Sequence, residues 1–162
     1  MSQLHSRVQT TRRAWLGGIA VMVLVPSTML AYAAPATMQV WKDPNCGCCK
    51  DWVDHMQANG FKVTVHETGN NAVRARLGLP QKLGSCHTAL VGGYAIEGHV
   101  PAREIRRLLQ ERPDAIGLAV PGMPVGSPGM DAPIYGKRRD PHDVLLVRRD
   151  GSTRVYASYF RT

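Results

Sequence analysis

Three of the chain's four cysteines fall within four residues, Cys46-Gly47-Cys48-Cys49, and the fourth, Cys86, stands alone. An even cysteine count in an oxidising compartment ordinarily reads as a set of structural bridges, each closing a loop between distant segments. Thiols crowded this closely cannot serve as such staples. The fold must therefore rest on an apolar core, and the thiols are left to carry chemistry.

The apolar pattern around the cluster supplies that core. Thr37 to Lys42 alternates, Met38, Val40 and Lys42 against Gln39 and Trp41, which predicts a short strand. Asp43-Pro44-Asn45 turns the chain, with Asp43 or Asn45 as the cap of a helix that carries Val53 and Met56 one turn apart and ends at Asn59-Gly60. Phe61 to His66 predicts a second strand, and Asn71 to Leu77 a short helix closed by Gly78 and Pro80. Thr88 to Val91 and Tyr94 to Ile96 flank Gly92-Gly93, a two-residue hairpin turn. Pro101 opens a helix through Arg112 with Ile105, Leu108 and Leu109 at core spacing. The resulting order, βαβαββα, is α/β with at least one parallel pair, and it is the thioredoxin order.

From Pro113 to Pro141 glycine and proline dominate, and regular structure is not expected across Pro121 to Met130. A hairpin of Asp143 to Arg149 and Ser152 to Ser158, turning at Asp150-Gly151, closes the chain. A long loop kept between ordered elements of one domain is usually functional or disordered, and the strong hairpin after it favours an ordered extension. The expected fold is thus a thioredoxin-like βαβαββα core at residues 37–112, with a Gly/Pro/Met-rich loop and a C-terminal β-hairpin as an extension at 113–162.

Residues 1–33 read as a targeting segment. Arg7, Arg12 and Arg13 precede the apolar stretch Ala14 to Val25, which is too short and interrupted to stay in a membrane, and Ala31-Tyr32-Ala33 offers a small-x-small cleavage site. Thr11-Arg12-Arg13-Ala14-Trp15-Leu16 is similar to a twin-arginine export signal, and an ordinary Sec signal carrying two arginines reads equally well. Either route leads out of the cytoplasm to the periplasm, with no stable membrane insertion after cleavage. Removal of the segment leaves a single domain, residues 34–162, with 17 basic against 12 acidic side chains, because three of the 20 basic residues lie in the segment. The surplus is scattered. Its one cluster, Lys137-Arg138-Arg139, lacks interleaved aromatics, so nucleic acid is not an expected partner.

Cys46-Gly47-Cys48-Cys49 holds both a C-x-C and a C-x-x-C where the first strand hands over to the first helix. Unpaired N–H groups and the positive end of the helix dipole stabilise a thiolate there, and Lys50 adds a further positive charge. Thiolates attack disulfides and also bind soft metals, so location alone does not choose between the two. Consecutive helical residues point about 100° apart, which places Cys48 and Cys49 poorly for completing one tetrahedron with Cys46. Two or more metals sharing bridging sulfurs would use all three. A mononuclear zinc site takes paired C-x-x-C arms, and the second arm is missing.

Cys86 and His87 immediately precede the Thr88 strand. In the thioredoxin order that junction carries a cis-proline facing the C-x-x-C, and counting back from Gly92-Gly93 puts His87 in the proline's place, a ligand where an inert wall would stand. The bland alternative is a buried thiol beside a surface imidazole. Met123 and Met130 bracket the glycine- and proline-rich loop, and a thioether is a ligand for Cu(I) but hardly ever for zinc, although either residue could equally be packing. His99, in Glu97-Gly98-His99-Val100-Pro101, is a ligand candidate between hairpin and helix, and His142 a less persuasive one. His55 follows Cys48 by seven residues on the same helix face, about 10 Å away and too far to share an ion. His66, at a strand end, reads as a surface residue.

Taken in order, Cys46-Gly47-Cys48-Cys49-Lys50, Cys86-His87-Thr88, Glu97-Gly98-His99-Val100-Pro101 and Gly117-Leu118-Ala119-Val120-Pro121-Gly122-Met123-Pro124 through Met130 resemble the CopG-type copper-resistance proteins of Gram-negative bacteria, long filed as a domain of unknown function. The resemblance covers nearly all of residues 34–162. It implies a periplasmic thioredoxin-like domain with a metal-binding C-terminal extension, a thiolate-bridged multinuclear copper cluster, and interconversion of Cu(I) and Cu(II) ahead of efflux. The family's motif cysteines correspond to Cys46, Cys48 and Cys49. Matching motifs, with the arguments above, add Cys86, His87, His99, Met123 and Met130 as metal ligands. Copper ions are the expected partner, with periplasmic copper efflux or chaperone proteins beside them.

The leading expectation is a copper-binding redox protein, since thiolates favour Cu(I) while imidazole tolerates Cu(II) as well. Its rival is a thiol-disulfide oxidoreductase with Cys46 attacking and Cys49 resolving. That rival explains the fold but not Cys48, Cys86 or the methionine loop. A passive copper store or carrier shares every ligand with the first and differs only in turnover.

Overall fold

The computed structural model describes residues 35–161, so the expected targeting segment lies outside the described residues. Its elements are β1 (Thr37–Lys42), α1 (Gly47–Ala58), β2 (Lys62–His66), α2 (Asn71–Arg76), β3 (His87–Val91), β4 (Tyr94–Glu97), α3 (Ala102–Glu111), β5 (Gly117–Ala119), β6 (His142–Val147) and β7 (Thr153–Tyr159), with short 3-10 turns at Gln81–Leu83 and Pro133–Tyr135. Period-two alternation sorts the strand side chains onto two faces. Met38, Val40, Ile96, Leu118, Val144 and Leu146 share one cluster with Trp52 and Met56 of α1 and Ile105 and Leu108 of α3. Their sequence neighbours Ala95, Ala119, Leu145 and Val147 face the other way, onto Leu77, Leu79 and Leu83.

All seven strands form one sheet in the order β2-β1-β3-β4-β5-β6-β7. β1 pairs parallel with β2 and antiparallel with β3, and β3 pairs antiparallel with β4, which is the thioredoxin-like arrangement expected from the element order. The C-terminal segment extends that sheet: β5 runs parallel to β4, and the β6–β7 hairpin adds two antiparallel strands. β5 was not expected from the sequence, where glycine and proline dominate its surroundings. Its strand conformation comes from neighbours, with Ala95 N–H donating to Ile116 O at 2.9 Å and Ile116 N–H to Val147 O at 2.8 Å.

Helix α1 is capped later than expected, one residue beyond Asn45 and three beyond Asp43. Cys46 occupies the N-cap position without a side-chain hydrogen bond, while Asp43 Oδ1 accepts the Asn45 N–H at 2.8 Å in the turn before it. Pro101 likewise stands at the N-cap of α3 rather than inside its first turn. Among the described residues, no helix is long and apolar enough to cross a membrane.

Candidate metal centre

The β1–α1 junction delivers the cysteine motif to the end of the sheet where β3 begins. Trp41 and Lys42, the last residues of β1, pair with Thr88 and His87, the first of β3, so Cys86 is brought opposite the start of α1 by register alone. Among the described residues the backbone has no cis peptide bond, and His87 stands at this junction with a trans linkage. Its ring is fully buried against Trp52 at 4.3 Å between centroids, and Trp52 is itself pinned by donating to Val100 O at 2.9 Å.

Cys86 is the hub of the donor atoms. Its sulfur lies 3.8 Å from Cys48 Sγ, 3.4 Å from His87 Nδ1 and 3.1 Å from His99 Nε2. Two groups of ligand atoms therefore share it: Cys46, Cys48, Cys49 and Cys86 on one side, and Cys86, His87 and His99 on the other, each within 4.8 Å. On the sulfur side Cys46 and Cys49 are joined by a disulfide, leaving Cys48 and Cys86 as free thiols. The structure thus holds the oxidised form of the C-x-x-C, whereas the helix-start argument expected thiolates at all three motif positions. Cys48 Sγ lies 3.7 Å from Cys46 Sγ, and Cys49 is buried with its sulfur 3.5 Å from Cys86 O.

Burial governs the protons on the nitrogen side. His87 is held well below its ordinary pKa by desolvation and then by His99, and His99 is lowered chiefly by desolvation. Both rings are therefore neutral near pH 7 and keep a lone pair for a ligand. For His99 the tautomer follows from a neighbour: Pro128 O, which can only accept, lies 2.8 Å from Nδ1, so Nδ1 carries the proton and Nε2 faces Cys86 with its lone pair. Burial, then the nearby Cys48, pushes the Cys86 thiol up to about 12, so a metal bound there must displace a proton. His87 Nε2 is buried with no hydrogen-bond partner.

The loop that follows β5 folds over this centre. Gly129, at φ +83°, packs so tightly on α1 that a Cβ there would lie 2.6 Å from Cys48 O and 2.8 Å from Trp52 N. Gly98, at φ +69°, makes the same kind of approach between Ser85 and Val120 O, which sets His99 beside Cys86. Met130 is buried, its sulfur 3.8 Å from the Tyr135 hydroxyl, while Met123 is 52% exposed on a backbone tied at Gly122 to Gly84 and Ser85.

The other histidines among the described residues sit elsewhere. His55 Nε2 accepts the Ala102 N–H at 3.4 Å, His66 stacks on Trp41 at 4.9 Å, and His142 stacks on Tyr159 at 5.2 Å. Sequence reasoning overlooked a buried polar group under Cys86, in which Glu97, Arg74 and Asn70 converge on the Ser85 backbone and the Thr88 hydroxyl donates to Glu97. Only the position of Glu97 beside Gly98-His99 hinted at it.

Fold and centre together define a thioredoxin-like domain whose motif cysteines face a second set of thiol and imidazole donors. Two solved structures, titled copper resistance protein copG forms 1 and 2, are each 52% identical to the chain and cover 77% of it and 98% of their own length, with TM-scores of 0.71 and 0.72. The chain belongs to the CopG copper-resistance protein family. A family model described as protein of unknown function, DUF411, matches residues 83–130, which include Cys86, His87, His99 and both loop methionines. No curated protein sequence matches the chain.

Proposed function

We propose that this is an exported, periplasmic copper-binding protein in which the sulfurs of Cys46, Cys48, Cys49 and Cys86 hold more than one copper ion, with His87 and His99 as nitrogen donors and Met123 and Met130 as loop thioethers. The observation that carries the reading is the position of Cys86 Sγ, within 3.8 Å of Cys48 Sγ and within 3.4 Å of both imidazoles, so that one thiol joins a soft sulfur group to a nitrogen pair. The donors fit copper: thiolate and thioether suit Cu(I), imidazole suits both oxidation states, and His87 Nε2 is a buried nitrogen without a partner. Relatives named for copper resistance support the choice of metal.

The Cys46–Cys49 pair gives the site a way to change the oxidation state of its cargo. Two Cu(II) ions taking one electron each from the dithiol become two Cu(I), the disulfide forms, and two thiol protons are released. Once Cu(I) has left, an external thiol reductant resets the site by returning two electrons and two protons to the disulfide. In the disulfide form the two sulfurs are not thiolates, so full copper loading belongs to the reduced protein. Residues 34–162 act as one unit in this scheme, the loop covering the site and the hairpin extending the sheet that carries it.

The same disulfide favours a second reading, thiol-disulfide exchange with half-exposed Cys46 as the attacked sulfur and Cys49 as the leaving one. Loading the anaerobically reduced protein with Cu(I) separates the two. The copper reading expects more than one copper per chain and loss of most of it in Cys48→Ser. A one-to-one stoichiometry that ignores this substitution, with rapid reduction of insulin disulfides by the metal-free dithiol, would establish the second reading instead.

A further inference from the structure

Beneath the thiol cluster lies a buried ion pair for which copper binding has no direct use. Glu97 and Arg74 carry side chains only 0% and 4% exposed. Such a pair is tolerated when its remaining lone pairs and protons are satisfied, and here they are satisfied largely by one residue. Glu97 Oε1 accepts the Ser85 N–H at 2.6 Å together with Arg74 Nε and Nη2 at 2.9 Å, and Oε2 accepts the Thr88 hydroxyl at 2.6 Å. Arg74 Nη2 in turn donates to Ser85 O at 2.7 Å, where Asn70 Nδ2 adds a donor at 3.2 Å. Both polar groups of the Ser85 backbone are therefore gripped from below by buried charge. From above, the Ser85 hydroxyl donates to Gly122 O at 2.5 Å, in the loop that covers the centre. The next residue is Cys86.

The β3–β4 register already pairs Thr88 with Glu97 as strand neighbours, so the ion pair with Arg74 is not what aligns the two strands. What the ion pair adds is a fixed peptide immediately before the one thiol shared by the sulfur and nitrogen groups. A neutral loop at that point would let Cys86 Sγ swing away from Cys48 and the imidazoles, and Ser85 is only half-buried.

We propose that Glu97, clamped by Arg74, is a positioning residue that sets Cys86 Sγ between Cys48 and the two histidines. The geometric claim stands by itself, while its consequence for metal affinity rests on the copper reading above. Groups that orient a ligand from behind typically change metal affinity on the order of 10- to 100-fold when altered.

Two measurements on Glu97→Gln keep those claims apart. In a Cys46→Ser, Cys49→Ser background only Cys48 and Cys86 remain, and diamide should join them readily from their 3.8 Å separation. Glu97→Gln should slow that bond formation about tenfold or more with the far-ultraviolet circular dichroism unchanged, whereas Glu104→Gln, a change at another buried carboxylate, should not. With all four cysteines present and reduced, Glu97→Gln should weaken Cu(I) binding against a competing chelator by about 10- to 100-fold. An unchanged cross-linking rate in a folded variant overturns the proposal, whatever copper does. A slowed rate with unchanged copper affinity upholds the positioning role and removes Cys86 from the copper ligands. Should Glu97→Gln fail to fold for want of a partner for Arg74, the Arg74→Met, Glu97→Gln pair, which buries no charge, is read by the same criteria.

Discussion

The two donor groups that share Cys86 are held in opposite ways. The sulfur group sits at an exposed helix start, where Cys46 is half-buried, makes no capping hydrogen bond and is already bonded to Cys49. The imidazole group is locked: His87 is fully buried against Trp52, His99 is oriented by Pro128 O, and Cys86 follows a residue clamped by a buried ion pair. One half changes its covalent state through half-buried Cys46, with only the Cys49 sulfur in the interior, and the other cannot move without disturbing the core. A site that both keeps a metal and alters its oxidation state needs that division.

Substitutions break the comparison in graded steps. Trp52→Ala removes a fully buried ring from the wall behind His87 and should cost about 3–5 kcal/mol, read as a lowered denaturant midpoint. It should also release the imidazole group, so that any copper retained by the folded fraction is held by sulfur alone. Gly129→Ala drives a Cβ into Cys48 O and Trp52 N at a positive φ and should cost about 1–3 kcal/mol. Its signature is a loop around residue 129 that becomes open to limited proteolysis while the helices keep their circular dichroism. His66→Ala sharpens the contrast by doing least. The ring stacks on Trp41 away from the centre, so stability should change by about 0.5 kcal/mol or less and copper stoichiometry should not change at all.

Much of this was legible in the chain. Alternation over Thr37–Lys42 and the Gly92-Gly93 turn fix the strand order, and strand order fixes the meeting of Cys86 with the cysteine motif. What escaped depends on partners distant in sequence. Three-residue β5 carries too little pattern of its own and takes its conformation from β4 and β6. Arg74, in a six-residue helix with a second arginine, reads as a solvated charge until Glu97 is found facing it. The Cys46–Cys49 bond is a matter of electrons removed from a suitably spaced pair, and spacing alone permits the bond without requiring it.

The most direct test is X-ray absorption at the copper edge, recorded on reduced, copper-loaded protein and on Cys86→Ser. Sulfur-dominated scattering with a nitrogen component and a copper–copper vector, the last of these lost in Cys86→Ser, is the result this reading of the site requires. Copper surrounded only by nitrogen and oxygen, with spectra identical in the two proteins, would contradict it.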